Sequence, residues 1–354
     1  MRPSLRLSSP FAALLALASA CSPGDDAEAT ADGAETPGAV AVGGADSDAF
    51  VDGPDLWLAE LTYDDTGAPM LGDGRNVTSR AGYDNQPKFL PDGSILYTRG
   101  VGDRTDIWLY DPATDAHAPV TETPDHSEYS PTPTPDGTGF SAIVVEPDSL
   151  QRLWRFDLDG SNGGPIFEDI APVGYHAWID DERIGMFVLG EPATLQTAVA
   201  GAAGPGATVD EDIGRSLNRI PGQTAISYPV APSEDRVLRM TAAEDSVVTV
   251  PLRSSGWFVR MLADVDGELA TRFVARIPAQ DHAWTPDGRI LYAEGHRLMA
   301  IGPLPTAPGE EPALLPDDAL VTVGALPDTT LEISRLAVSD DGASIVLVVD
   351  RPNG

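Results

Sequence analysis

The segment QPKFLPDGSILYT, residues 86–98, contains the clearest structural pattern in this chain. Two short runs of strand-forming residues flank the sequence Pro91-Asp92-Gly93. Proline fixes its own φ, aspartate caps a turn and glycine accepts a positive φ, so the pattern predicts two strands joined by a tight hairpin. The pattern recurs in five further segments, the last of them weaker: SPTPTPDGTGFSAIV (130–144), YHAWIDDERIGMFVL (175–189), HAWTPDGRILYAE (282–294), ISRLAVSDDGASIVLVVD (333–350) and RIPGQTAISY (219–228).

The spacing of these turns identifies the repeating unit. Turn positions 93, 137, 182, 222, 288 and 342 lie 44, 45, 40, 66 and 54 residues apart. A base period in the forties is typical of one four-stranded blade of a β-propeller. The two longer gaps contain extra loops, at roughly residues 231–253 and 303–318.

A third strand follows five of the six hairpins, with DIWLYDP (106–112) as its clearest example. The missing sixth copy lies at the other end of the repeat, where DLWLAEL (55–61) resembles DIWLYDP. We therefore predict an all-β, six-bladed propeller. Residues 55–78 would supply the outer two strands of the blade whose inner two strands end the repeat, which removes unpaired sheet edges. A ring of five blades is the alternative, and it leaves DLWLAEL unexplained.

The N-terminal region indicates export. Arg2 and Arg6 precede an apolar run, residues 11–20, that is too short to span a bilayer, so residues 1–20 are predicted to be a signal peptide. The run ends in ALASAC, which resembles a bacterial lipobox with Cys21 as the lipidated residue; a plain secretory signal cut near residue 20 is the alternative. Residues 21–53 lack lysine and arginine and are predicted to form a disordered acidic tether. The propeller is predicted over residues 54–354.

The charge of the chain restricts its partners. The formal net charge is −33, which excludes the basic face that nucleic-acid binding requires and disfavours adhesion to anionic lipid. Lysine occurs once, at Lys88, and cysteine once, so no internal disulfide can form. We expect a monomer that meets the membrane only through its lipid anchor. Because serine follows Cys21, we expect the outer membrane, with the protein facing the periplasm or the cell surface.

The repeat resembles a known family. The pattern P-x-aromatic-x-PDG from Pro87 to Gly93, the Ile-Trp strand and the DLDGSN hairpin are similar to TolB-like, WD-type propeller repeats of bacterial envelope proteins. Longer strings such as YHAWID, IGRSLNRIPG and HAWTPDGRIL resemble an exported lipoprotein subgroup of unassigned function. The resemblance spans residues 54–350 and implies the fold; propellers host many activities, so it implies no single function. The subgroup has histidine near Asn218, where this chain departs.

Two His-Ala-Trp segments raise the question of a channel site. His176 and His282 each lie six residues before the turn, on the first strand of a blade, in the position that proline holds at Pro87 and Pro131. With His126 they are candidate metal ligands, because imidazole binds zinc readily. Their spacing lacks short-range ligand pairs, so we expect no metal or other cofactor, and histidines hydrogen-bonded between blades.

The remaining channel-mouth candidates lie near the starts of first strands. Arginines in such places can bind a carboxylate through two hydrogen bonds, or can pair with acidic neighbours and fix the ring. With the two histidines, the predicted binding residues are Glu128, Tyr175, His176, Arg215, Arg219, Asp281, His282 and Arg335.

The sequence predicts a non-catalytic propeller of the cell envelope that binds a protein or a small ligand at its channel mouth. No nucleophile elbow, P-loop or HExxH motif occurs in it. The alternative is a metal-dependent hydrolase or lyase acting on a sugar or lactone in the channel, since the sugar lactonases and oligogalacturonate lyases are propellers that bind metals there.

Overall fold

The computed structural model describes residues 53–231, 237–242, 246–251, 256–304 and 320–351. The predicted signal peptide, Cys21 and nearly all of the predicted tether lie outside the described residues. Within the described residues every regular element is a β-strand. No helix long and apolar enough to cross a membrane occurs among them.

The strands are short, and the tight turns between them follow the pattern of the repeat. Gly93, for example, has φ 87°, the left-handed conformation that the hairpin turn requires. In chain order the strands are β1 (Asp55–Tyr63), β2 (Pro69–Asn76), β3 (Asp84–Phe89), β4 (Ile95–Val101), β5 (Arg104–Asp111), β6 (Ala116–Pro119), β7 (Ser127–Pro133), β8 (Gly139–Val145), β9 (Gln151–Asp157), β10 (Gly164–Pro165), β11 (Val173–Trp178), β12 (Arg183–Val188), β13 (Thr194–Val199), β14 (Ala207–Glu211), β15 (Asn218–Arg219), β16 (Ala225–Val230), β17 (Val237–Ala242), β18 (Ser246–Pro251), β19 (Trp257–Val265), β20 (Glu268–Ile277), β21 (His282–Trp284), β22 (Ile290–Glu294), β23 (Arg297–Ile301), β24 (Leu320–Ala325), β25 (Glu332–Val338) and β26 (Ser344–Asp350).

These strands form six four-stranded antiparallel sheets, so the prediction of a six-bladed, all-β propeller is confirmed. Blades one to three are β3-β4-β5-β6, β7-β8-β9-β10 and β11-β12-β13-β14. Blade four is β15-β16-β19-β20, with the hairpin β17-β18 inserted between its second and third strands, and blade five is β21-β22-β23-β24. The insertion falls in one of the two long gaps between turns that the sequence shows.

Blade six joins the two ends of the repeat. Its strand order is β25-β26-β1-β2, and β1 pairs with β26 from Asp55 opposite Val349 to Glu60 opposite Ser344. Leu56 and Leu347, on the two paired strands, are completely buried. The predicted ring closure by N-terminal strands is therefore confirmed. Closure leaves no unpaired edge between the first and last blades.

The first strands of the six blades surround a central channel. Consecutive first strands contact one another around the ring, from β3 through β7, β11, β15, β21 and β25 back to β3. Four of them contain a β-bulge or register shift: between Asn85 and Lys88, Tyr129 and Thr132, Val173 and Tyr175, and Ile333 and Arg335. A bulge inserts a residue into a strand and turns the side chains beside it. Strict alternation of side chains therefore fails where the strands line the channel.

The first His-Ala-Trp segment ties two blades together. His176 Nε2 lies 2.6 Å from Ser141 Oγ, and Trp178 Nε1 donates to the same oxygen at 3.0 Å. Ser141 belongs to β8, the second strand of the preceding blade. Burial, aided by the nearby charge of Lys88, lowers the pKa of His176 to about 3, so the ring is neutral at physiological pH.

The second His-Ala-Trp segment repeats this geometry two blades further on. His282 Nε2 lies 2.8 Å from Ser227 Oγ, and Trp284 Nε1 donates to that oxygen at 2.8 Å. Ser227 again lies on the second strand of the preceding blade, β16. We call each arrangement a serine clamp: one serine of blade n − 1 held by the histidine and tryptophan of blade n. The two His-Ala-Trp segments therefore serve to pack one blade against the next.

Ser141→Ala tests the serine clamp. The variant leaves His176 Nε2 and Trp178 Nε1 buried without a partner, and each such group costs about 1–3 kcal/mol. We expect urea denaturation to give a free energy of unfolding lower by roughly 2–6 kcal/mol. Ser227→Ala should cost a similar amount. Thr62→Ala, at an exposed position of β1, is the control; a Ser141→Ala protein as stable as that control would contradict the clamp.

Candidate functional site

The only lysine of the chain crosses the channel. Lys88 projects from β3 in blade one, and its Nζ donates to Asn218 Oδ1, at 3.1 Å, on β15 in blade four, on the opposite side of the ring. Burial lowers the pKa of Lys88 to about 8, and the charge of Arg335 acts in the same direction while Asp281 opposes it. The amine is therefore mainly protonated at neutral pH, in a place where burying a charge is costly.

Asn218 is held in the orientation that receives this lysine. Its Nδ2 donates to Ser216 Oγ at 3.0 Å and to the carbonyl oxygen of His282 at 2.8 Å. Because the amide nitrogen has two acceptors, the amide oxygen is the atom that faces Lys88. Among the described residues this oxygen is the one hydrogen-bond partner of the ammonium, which can donate three hydrogen bonds. Lys88 therefore retains donor capacity toward the channel.

A carboxylate lies between two arginines on one side of Lys88. Asp281 Oδ2 accepts from Arg215 Nε at 3.1 Å and from its Nη2 at 2.8 Å. Arg335 Nη1 lies 3.7 Å from the other carboxylate oxygen. Burial alone would raise the pKa of Asp281, but the two guanidinium groups outweigh it and hold that pKa below its usual value. Asp281 is therefore charged at any physiological pH.

Arg335 also spans the channel. Its Nη2 donates to the hydroxyl of Tyr175 at 3.0 Å, and its guanidinium carbon lies 5.2 Å from the centre of the Tyr175 ring. Tyr175 belongs to blade three and Arg335 to blade six, so this contact joins another pair of opposite blades. The side chain of Arg335 is only 15% exposed.

These side chains give the channel a positive centre. We call Lys88, Arg215, Arg335 and Asp281 the cationic centre: three positive groups against one carboxylate, in a chain whose net charge is −33. The neutral His176 and His282 add no charge to it. Uncompensated positive charge in a partly desolvated site attracts anions more strongly than the same charge on the surface.

Two cavities meet at Lys88. The smaller, of about 60 Å³, is lined by the cationic centre together with Tyr175 and is here called the mouth cavity. The larger, of about 450 Å³, is lined by turn residues such as Gly137, Gly222 and Asp340, so it opens on the face that carries the first-strand hairpin turns. We call it the hairpin funnel. Lys88 lines both cavities and lies where they adjoin.

The predicted site residues fall in three places. Most line the mouth cavity, whereas Arg219 is exposed and lines the hairpin funnel. The residues at the mouth cavity are Tyr175, His176, Arg215, Asp281, His282 and Arg335. Glu128 lines neither cavity. It is fully buried and accepts from Thr121 Oγ1 at 3.0 Å and from Thr123 Oγ1, and burial raises its pKa to about 7.

The three candidate metal ligands do not converge. His176 and His282 each use Nε2 in a serine clamp, and His126 packs against Trp154 with ring centres 5.4 Å apart. Among the described residues no group of three or more histidine, cysteine, aspartate or glutamate side chains is arranged to hold a metal ion. That result concerns the donor groups of the protein and does not bear on which reaction, if any, the protein catalyses.

Lys88 and Asn218 were not among the predicted site residues. The bulge between Asn85 and Lys88 interrupts the alternation of side chains along β3, so alternation alone did not identify Lys88 as a channel residue. One signal was available: the single lysine of an acidic chain lies next to the position that histidine takes in two other blades.

Comparisons with known proteins bear on the fold. No protein-family model matches the chain, and no curated protein matches it in sequence. Among solved structures, a protein assigned as TolB from Agrobacterium tumefaciens is 12% identical with TM-score 0.51, covering 83% of this chain and 98% of that one. A gluconolactonase from Xanthomonas campestris is 11% identical with TM-score 0.52, covering 84% and 95%. TolB from Acinetobacter baumannii is 13% identical with TM-score 0.48, and this chain covers 65% of it.

At these identities the likenesses establish architecture alone. The gluconolactonase and the TolB protein of Agrobacterium tumefaciens differ in name yet match this chain equally well. The chain therefore has the six-bladed propeller fold of TolB-like proteins.

Proposed function

We propose that this protein is a non-catalytic propeller of the cell envelope that binds an anionic ligand at its central channel. The observation that supports the proposal is the cationic centre, where Lys88, Arg215 and Arg335 outnumber the single carboxylate of Asp281. A ring held together only by internal ion pairs would not need this excess of positive charge. A carboxylate placed beside Lys88 would offset one of the two excess positive charges.

The chemistry of these groups favours a carboxylate. A guanidinium presents a planar fork that matches two carboxylate oxygens, and charge-assisted hydrogen bonds are roughly twice as strong as neutral ones. The mouth cavity, at about 60 Å³, has room for about two water molecules or one such group. The acidic exterior repels polyanions, so the ligand carries few negative charges. The carboxylate belongs either to a free small acid or to the C-terminus of an envelope protein.

Arg335→Gln tests the binding proposal with acetate as the probe. Removing one charged hydrogen-bond donor costs about 1.5–3 kcal/mol, so acetate affinity should fall at least about tenfold. Calorimetry measures the affinity, and the acetate-dependent rise in melting temperature is a second readout. Arg297→Gln, at an exposed position at the start of β23 in blade five, is the matched control and should bind as the wild type does.

A second arm of this experiment identifies the source of the carboxylate. A short peptide with a free C-terminal carboxylate that binds more tightly than acetate, and whose C-terminal amide does not bind, would favour a protein partner. Acetate binding without any gain from the peptide would favour a small acid. The proposal fails if acetate has no measurable affinity, or if Arg335→Gln and Arg297→Gln bind it equally.

The alternative function is a metal-dependent hydrolase or lyase acting on a sugar or lactone. Elemental analysis of the purified full-length protein tests it. A stoichiometric metal that is lost in His176→Ala or His282→Ala would replace the binding proposal with the enzymatic one.

The proposed location follows from the N-terminal sequence. A signal peptide over residues 1–20, a lipobox-like Cys21 and an acidic tether favour an exported, lipid-anchored protein, and Ser22 favours the outer membrane. Cys21→Ala tests the anchor. We expect the full-length variant, expressed in a bacterium that lipidates such cysteines, to move from the membrane fraction to the soluble exported fraction. A Cys21→Ala protein that stays with the membrane would contradict lipid anchoring.

A further inference from the structure

We propose that the hairpin funnel binds a small molecule with an apolar body and one acidic head, the head lying against Lys88 Nζ. This inference rests on the proposed function and extends it. The cationic centre accounts for the charge of the ligand; the funnel adds the shape and the polarity of the rest of the molecule, and the face of the ring by which it enters.

The size of the funnel favours a molecule larger than the acid group alone. Its volume of about 450 Å³ lies within the range of small-molecule sites in proteins, about 300–1,000 Å³. The mouth cavity, at about 60 Å³, is too small for an aromatic ring. The hairpin funnel is therefore the cavity beside Lys88 that has room to enclose a bulky ligand body.

The wall of the funnel is apolar and rigid. Phe89, Trp178 and Trp284 contribute aromatic surface, and the first-strand hairpins contribute prolines at 91, 133 and 286. The two tryptophans are held by the serine clamps through Nε1, so their rings are fixed before any ligand arrives. Fixed apolar walls bind an apolar body without an ordering cost in the protein.

The floor of the funnel is polar. Lys88 and Asn218 lie there, and His176 lines the floor with its Nδ1 buried and without a hydrogen-bond partner. The hydroxyl hydrogen of Ser141 can go to His176 Nε2 or to the carbonyl oxygen of Thr132, 3.2 Å away, and Nδ1 lacks a partner in both cases. A largely apolar pocket that ends on a few convergent polar groups is the usual form of a small-molecule site.

The charge at the funnel selects one acidic group. Lys88 supplies one ammonium group at the narrow end of the funnel, and Asp340 and Arg219 stand at its rim. Both rim residues are exposed and screened by solvent, so the charge of Lys88 decides which ligand group binds. A monocarboxylate with an aromatic or aliphatic body fits this arrangement better than a dicarboxylate or an acidic sugar.

Three probes separate the contribution of the apolar body to affinity from that of the acidic head. They are 4-phenylbutyrate, acetate and the neutral 4-phenylbutan-1-ol, each titrated by calorimetry at pH 7 into the full-length protein. We expect 4-phenylbutyrate to bind at least about tenfold more tightly than acetate, because its ring is buried in the funnel. We also expect it to bind at least about tenfold more tightly than the alcohol, because the carboxylate pairs with Lys88.

Two variants show which residue accounts for each of these differences in affinity. Phe89→Ala should reduce the preference for 4-phenylbutyrate over acetate, because it removes aromatic surface from the funnel wall. Lys88→Met keeps an unbranched stem without the charge and should abolish the preference for the acid over the alcohol. Leu158→Ala, at a position 44% exposed in blade two, is the control and should leave all three affinities unchanged.

If Lys88→Met does not fold, a labelling experiment on the wild-type protein tests the role of Lys88 instead. N-hydroxysuccinimidyl acetate acetylates lysine amines, and the chain has one lysine, so mass spectrometry of the Lys88 peptide gives the rate at that site. Saturating 4-phenylbutyrate should slow this acetylation at least about fivefold, by occupying the funnel and holding the amine in its charged form.

The outcomes distinguish this inference from the proposed function. If acetate and 4-phenylbutyrate bind equally well and Arg335→Gln weakens both, the anion site stands and the funnel inference is wrong. If neither acid binds, both fail. If 4-phenylbutyrate binds tightly but Phe89→Ala leaves its affinity unchanged and Lys88 is not protected from acetylation, the funnel is not its site.

Discussion

The antiparallel pairing of β1 with β26 closes the ring of blades and holds it closed. It joins segments from opposite ends of the repeat and completes the sixth blade. Only a closed ring brings the first strand of blade one opposite that of blade four. The contact between Lys88 and Asn218, and the contact between Arg335 and Tyr175, both cross the channel and so require closure. The candidate site is thus a property of the whole ring.

Once the ring is closed, burial sets the chemistry of its centre. Exposed charges at these positions would be screened within about 10 Å at ordinary ionic strength and would bind an anion weakly. In the channel, desolvation keeps His176 and His282 neutral and lowers the pKa of Lys88, while Asp281 remains charged between two arginines. The same low polarity that makes the ammonium costly to bury gives an incoming carboxylate a strong partner. The serine clamps add rigid aromatic walls on one side of this centre.

The architecture could be predicted from the sequence because its signals are local and repeated. The residue types in each turn, as at Pro91 to Gly93, determine each hairpin, and the spacing of the turns along the chain gives the number of blades.

The candidate site was predictable only in part. Arg215, Asp281 and Arg335 precede or lie on first strands and were named from that position alone. Lys88 was not predicted, because the bulge between Asn85 and Lys88 changes which side chains of β3 face the channel. Glu128, predicted at the channel mouth, is buried and bound by Thr121 and Thr123 instead. The serine partners of the two histidines lie 35 and 55 residues away in sequence, beyond any local pattern.

The most direct test of a cationic, anion-binding channel is the ionisation of Lys88 itself. The chain has one lysine, so protein labelled with ¹³C at the lysine ε-carbon gives a single resonance whose shift reports the charge of the amine. Without ligand we expect a pKa of about 8, and saturating acetate should raise it, because a bound anion stabilises the protonated form. A pKa near the ordinary lysine value of about 10.4 that does not change with acetate would contradict the account.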